Sequence, residues 1–185
     1  VNPNPLGAAR RGVMVALSSY GTANHIYLKN LDIHHIKGQL GSSETALNGA
    51  VPKSTGGIYV TVLSTESTTA NSRYNDFLID GCNIYYCENQ GIAINNDKKT
   101  YYPGGQFSGI PADSVEYVNW YAKRNTNLKI SNNTLHHIGK NAMIIRMTDE
   151  TCVVEHNVCY ETALGTTGNT MFTCLLYTSP SPRDQ

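Results

Sequence analysis

Residues 127–147 read NLKISNNTLHHIGKNAMIIRM, and residues 151–161 read TCVVEHNVCYE. The second phrase restates the first. Ile130, Leu135 and Ile138 correspond to Val154, Cys159 and Thr162, each 24 residues later. Upstream, HIYLKNLDIHHIKG carries Leu28, Ile33 and Ile36 at the same spacing of five and then three, and NDFLIDGCNIYYCENQ does so with Ile79, Ile84 and Cys87. Leu28 and Ile79 lie 51 residues apart, as do Ile79 and Ile130. A fixed period of this size marks a stacked repeat, in which each unit covers the open end of its neighbour. With 24 residues to a bare turn, each 51-residue step carries 27 extra. The pattern predicts one solenoid whose first two turns bear long insertions and whose third is minimal.

Composition agrees with a chain of short strands. Charged residues are only 15%, while Asn, Thr, Ser, Gly and Tyr are plentiful, a mix that favours strands and polar turns over helices. No segment sustains a 3.6-residue period with capping residues, so the expected class is all-β. The 14 basic and 14 acidic residues cancel, which argues against a nucleic-acid or polybasic membrane partner. No apolar run is long enough for a membrane-spanning helix, and no targeting motif is evident.

The repeat divides the chain into residues 1–23, a lead-in with an apolar run at Val13–Leu17, and residues 24–173, the solenoid with insertions at 38–55 and 97–126. Residues 174–185 break the pattern. Back-translated, Cys174–Asp184 resembles one reading frame of a transposase adapter used in DNA library preparation. These residues are expected to be a non-native tail on a metagenomic fragment truncated at both ends. Cys87, Cys152 and Cys159 occupy columns otherwise held by Ile or Leu and are expected to be small buried hydrophobes, while Cys82 falls beside a turn. No column brings two cysteines into neighbouring coils, which disfavours a disulfide framework or a zinc site.

The phrases IYLKNLDI, FLIDGCNI, LKISNNTL and VVEHNV, with GIYV, GIAIN and AMIIRM closing the turns, resemble the right-handed parallel β-helix of the pectate-lyase-like superfamily. Asparagine suits its corner because the side-chain amide can bond the next coil's backbone. Asn30, Gly81, Asn132 and His156 stand at that corner here, an imperfect ladder. The resemblance implies a secreted, periplasmic or cell-surface bacterial protein, acting as a monomer on a polysaccharide or oligosaccharide as glycoside hydrolase or polysaccharide lyase. It also implies a substrate groove on the sheet built from GIYV, GIAIN and AMIIRM.

Alternation then turns Ile92, Ile94, Met143 and Ile145 inward, and Tyr59, Thr61, Ala93, Asn95, Ile144 and Arg146 outward. Arg146 is the leading catalytic candidate, since a guanidinium can hold a uronate or stabilise the charge of β-elimination. Asp97 and Lys98 stand at the mouth of the long insertion, where a base or one carboxylate of a pair is needed. Asp113, Glu116, Asp149 and Glu150 are candidates for the other carboxylate. Asn95, Thr61, Tyr59, Tyr101, Tyr102 and Trp120 are the candidate substrate-binding set, the last three because flat rings with polar edges stack on sugars. The columns His34, Tyr85, His136, Tyr160 and His35, Tyr86, His137, Glu161 read as a structural ring ladder, not metal ligands. No cofactor or metal follows from these residues. Calcium is left open because some relatives bind it through carboxylates, although no compact acidic loop is present. The competing class is a non-catalytic β-helix, either a glycan-binding module or an adhesin spacer.

Overall fold

The computed structural model describes residues 11–17, 21–37, 55–62, 72–94, 124–164 and 172–176, the last by backbone alone. Its strands are β1 (Arg11–Leu17), β2 (Thr22–Lys29), β3 (Asp32–Ile36), β4 (Gly56–Val62), β5 (Arg73–Asp80), β6 (Asn83–Cys87) and β7 (Gln90–Ile94). There follow β8 (Thr126–Ser131), β9 (Thr134–Ile138), β10 (Met143–Thr148), β11 (Val153–Glu155), β12 (Val158–Thr162) and β13 (Phe172–Leu176). Every third strand returns to the same sheet. Sheet A runs β1-β4-β7-β10-β13, sheet B runs β2-β5-β8-β11 and sheet C runs β3-β6-β9-β12, and all pairs are parallel. This is a right-handed parallel β-helix. Among the described residues no helix is long and apolar enough to cross a membrane.

The repeat period sets the register. Leu28, Ile79, Ile130 and Val154 form one file of sheet B, and Ile33, Ile84, Leu135 and Cys159 one file of sheet C. Sheet A supplies Val13, Ile58, Ile92 and Met143, with Val15, Val60, Ile94 and Ile145 beside them. The files meet in one apolar core. Each buried Ile or Leu contributes roughly 1.5–3 kcal/mol, so the stack is held chiefly by these files. Tyr74 ties sheet A to sheet B: its ring packs edge-on to Phe77 at 5.3 Å, and its hydroxyl donates to the Thr61 carbonyl at 2.7 Å.

The corner between sheets B and C explains the asparagines. Asn30, Gly81, Asn132 and His156 all have φ between 53° and 65°, the left-handed conformation that Gly and Asn tolerate best. The amide ladder stands one residue further on than the sequence placed it. Asn133 Oδ1 accepts from the Cys82 amide at 2.9 Å, and its Nδ2 donates to the Ile79 carbonyl at 3.1 Å. Asn157 Oδ1 in turn accepts from the Asn133 amide at 3.0 Å, while its Nδ2 reaches the Ile130 carbonyl at 2.9 Å. The bent residue aims the following side chain along the coil axis, so that residue does the bonding. In the same column Cys82 is buried with its thiol toward the Leu28 carbonyl at 3.7 Å.

Cys82, Cys87, Cys152 and Cys159 are unbridged thiols. Cys82 and Cys87 are core residues, and Cys152 and Cys159 are half-buried against the core. Burial pushes the Cys87 thiol up to about 12, which keeps it protonated and unreactive at neutral pH. At the entry to sheet A, Gly12, Gly57 and Gly91 stand close to the sheet C files. A Cβ at Gly91 would lie 2.5 Å from the Ala142 carbonyl oxygen and 2.7 Å from Leu135. Strand β13 continues sheet A across residue 174, pairing Ile145 with Cys174 and Thr148 with Leu176.

Two substitutions test this packing. Asn133→Ala takes the side-chain partner from both the Cys82 amide and the Ile79 carbonyl, and is expected to lower stability by about 1–3 kcal/mol in urea unfolding. Gly91→Ala forces a Cβ into backbone and is expected to cost a similar amount, about 1–3 kcal/mol, read as a lowered urea midpoint with unchanged slope.

Candidate functional site

Of the residues singled out from sequence, sheet A carries Tyr59, Thr61 and Arg146. Tyr59, Ala93 and Ile144 form one outward file. Thr61 and Arg146 each stand one residue beyond the inward Val60–Ile94–Ile145 file. Tyr59, Thr61, Ala93 and Ile144 are nevertheless buried, so the outer face is covered over this patch, as parallel sheets usually are. The Arg11 guanidinium lies 4.8 Å from the Tyr59 ring centroid, closing one side of it. Arg146 is half-buried. Asn95, Asp97, Lys98, Tyr101, Tyr102 and Trp120 lie outside the described residues, as do the candidate carboxylates Asp113 and Glu116.

Local backbone structure explains where Arg146 stands. Met147 has φ 56°, and the pairing of β10 with β13 shifts register between Ile145 and Thr148. This bulge re-aims the end of β10, a device common beside functional sites. The start of β8 anchors it, through Asn125 N donating to the Met147 carbonyl at 2.6 Å and the buried Arg124 Nε to the Thr148 carbonyl at 2.5 Å. Asp149 is occupied structurally. Its buried carboxylate accepts from the Thr151 amide at 3.0 Å and the Thr151 hydroxyl at 2.5 Å, which holds the turn into β11.

Sheet C presents a different surface. His35, Tyr86, His137 and Glu161 have φ between 49° and 55°. A left-handed residue inside a strand breaks the alternation of faces, so two consecutive side chains in each coil stand on the outside. The first file stacks nearly flat: His34 to Tyr85 at 5.1 Å and 30°, Tyr85 to His136 at 4.9 Å and 10°, His136 to Tyr160 at 4.9 Å and 7°. The second file is tilted, with His35 to Tyr86 at 5.1 Å and 41° and Tyr86 to His137 at 4.6 Å and 50°. His137 Nε2 lies 3.0 Å from Glu161 Oε2. Within a coil the two imidazoles are within hydrogen-bond distance, with Nδ1 to Nδ1 2.7 Å in both His34–His35 and His136–His137. The columns form the ring ladder expected of them, and among the described residues no three His, Cys, Asp or Glu side chains converge as metal ligands.

Beside the tilted file lies a cavity of about 400 Å³, bordered by His35, Tyr86, His137, Lys37, Glu88 and Leu164. Its columns are legible in the sequence, but the groove is not. The left-handed residues that swing the second file outward have no apolar periodicity to reveal them. The recurrence of His, Tyr and His at coil spacing was the available clue.

Sheet B is polar outside. Asp80 accepts from Ser131 Oγ at 2.9 Å and Asn132 Nδ2 at 2.8 Å, and Lys129 meets Glu155 at 2.7 Å. Asp76 accepts from the Tyr27 hydroxyl at 2.5 Å and pairs with His25 Nδ1 at 2.6 Å. These donors hold the carboxyls of Asp80, Glu155 and Asp76 below the usual carboxylate range. The groups that hold them come from the adjacent coil, which makes this face a polar intercoil ladder.

Comparison of the chain with protein-family models, with curated proteins and with solved structures returns no match. The architecture is therefore established by its own strand register.

A carboxyl held low in the folded state contributes stability above its unfolded value and loses it as pH falls through the folded one. Stability is expected to be insensitive to these carboxylates from pH 7 to about 5, then to fall below about pH 4. Urea midpoints against pH measure this, and Asp80→Asn should flatten the acid limb.

Proposed function

We propose that this β-helix is a carbohydrate-active protein of the pectate-lyase-like type, secreted or displayed by a bacterium, that binds an acidic polysaccharide beside sheet A. The observation that carries the reading is the placement of Arg146 relative to the insertions. Residues 38–55 lead into β4, and residues 95–125 leave β7, the strand paired with β10. That second segment contains Tyr101, Tyr102, Phe107, Tyr117, Trp120 and Tyr121. Topology thus joins a ring-rich segment to the strand beside the one that carries a bulge-aimed arginine.

In this reading the Arg146 guanidinium holds a uronate carboxylate by charge-assisted hydrogen bonds. In β-elimination, Lys98 removes the proton next to that carboxylate and Arg146 stabilises the enolate-like charge. The glycosidic oxygen then departs and leaves an unsaturated sugar. In hydrolysis, Asp97 instead pairs with a second carboxylate across the scissile bond. Asp149, with its Oδ1 engaged in the turn to β11, is poorly suited to that role, which leaves it to Asp113, Glu116 or Glu150. The same engagement, together with the burial of Tyr59 and Thr61, supports a second reading, a non-catalytic glycan-binding β-helix.

The full chain, incubated with polygalacturonate, alginate and neutral plant glucans, separates these readings. Cleavage by elimination yields ultraviolet-absorbing unsaturated ends, whereas hydrolysis yields reducing ends alone. Arg146→Ala is expected to lower kcat/KM on the acidic polymer by about 10²–10³. Binding without product release favours the second reading, and absence of both binding and cleavage removes the proposal.

A further inference from the structure

The outer wall of sheet C holds a cavity that the sheet A reading does not use. It measures about 400 Å³, within the usual range for small-molecule sites of about 300–1,000 Å³. One side is the tilted ring file His35, Tyr86 and His137, drawn from three successive coils. Leu164, 61% exposed, also borders the cavity. Lys37 and Glu88 border the site as an ion pair at 3.1 Å.

The contrast between the two files bears on what the cavity can hold. In the first file the rings lie at 10° and 7° beyond Tyr85, so each face is taken up by its neighbour and the wall shows mainly edges. In the second file the tilts of 41° and 50° leave part of each face uncovered, and Tyr86 is 46% exposed. Flat faces with hydroxyl or imidazole edges complement the apolar face and polar rim of a pyranose ring. The file runs along the solenoid axis with steps of 5.1 and 4.6 Å, close to the strand spacing of about 4.8 Å. An extended, equatorially linked glycan advances by about one ring length per residue, a comparable step.

Charge narrows the ligand further. The Lys37 ammonium is matched by Glu88, and Glu161 backs His137 from the next coil. A uronate would meet a cation already paired and a second carboxylate nearby, whereas an uncharged sugar meets hydrogen-bonding partners without that repulsion. We propose that this groove binds a neutral, extended oligosaccharide lying along the solenoid axis, with one sugar ring on Tyr86 and its neighbours over His35 and His137. The site shares with the sheet A reading only the broad class of ligand, and its residues are separate.

The experiment titrates the full chain with cellohexaose and, separately, with hexagalacturonate, following heat and the imidazole resonances of His35 and His137. Saturable binding of cellohexaose, shifts at both imidazoles, and a loss of about tenfold in affinity with Tyr86→Ala are expected, with Tyr86→Phe retaining binding. Because Tyr86 is half-exposed, the fold of each variant is checked by its circular dichroism and urea midpoint. Arg146→Ala should leave cellohexaose binding unchanged, so failure at either site is read independently of the other. Absence of saturable cellohexaose binding, equal affinity in a folded Tyr86→Ala variant, or tighter binding of hexagalacturonate at these residues overturns the proposal.

Discussion

The structure depends on bending the chain at the same places in every coil. Three files of left-handed residues do this: His25, Asp76 and Asn127; Asn30, Gly81, Asn132 and His156; and His35, Tyr86, His137 and Glu161. Each non-glycine member costs of order 1–2 kcal/mol relative to ordinary backbone. Interlocked apolar files and intercoil hydrogen bonds offset that cost, and the same residues supply some of the bonds. The Asn127 amide donates to Thr151 Oγ1 at 2.6 Å, and Asn132 Nδ2 donates to Asp80 at 2.8 Å. The bends fix which side chains look inward, and the inward files fix the stack.

This division explains what could be read from sequence. The inward files were legible because Ile, Leu, Val and Cys recur at 24 and 51 residues, and burial accepts few other side chains. The left-handed positions were partly legible, since Asn, Asp and His are enriched there. The amide ladder was displaced by one residue, from Asn132 to Asn133. A sequence repeat gives the column but not which neighbour the bend rotates onto the axis.

The site was less legible for a physical reason. Alternation correctly turns Tyr59 and Thr61 outward, but it is silent on whether an outward face is covered, and here both are buried. The bulge at Met147 and the engagement of Asp149 with Thr151 depend on contacts between β8, β10 and the following turn. Such contacts leave no periodic trace. The sheet C cavity was hidden similarly, because a tilted ring file and a flat one have the same letters at the same spacing.

The all-parallel pairing also gives the molecule a direction of mechanical weakness. Intercoil hydrogen bonds point along the solenoid axis, so tension applied along that axis would part them one rung at a time. Tension along the strands would load the three sheets in shear, with many bonds resisting together. A rod of this kind, tethered at its ends, yields by peeling, whereas one gripped across its flank stays stiff.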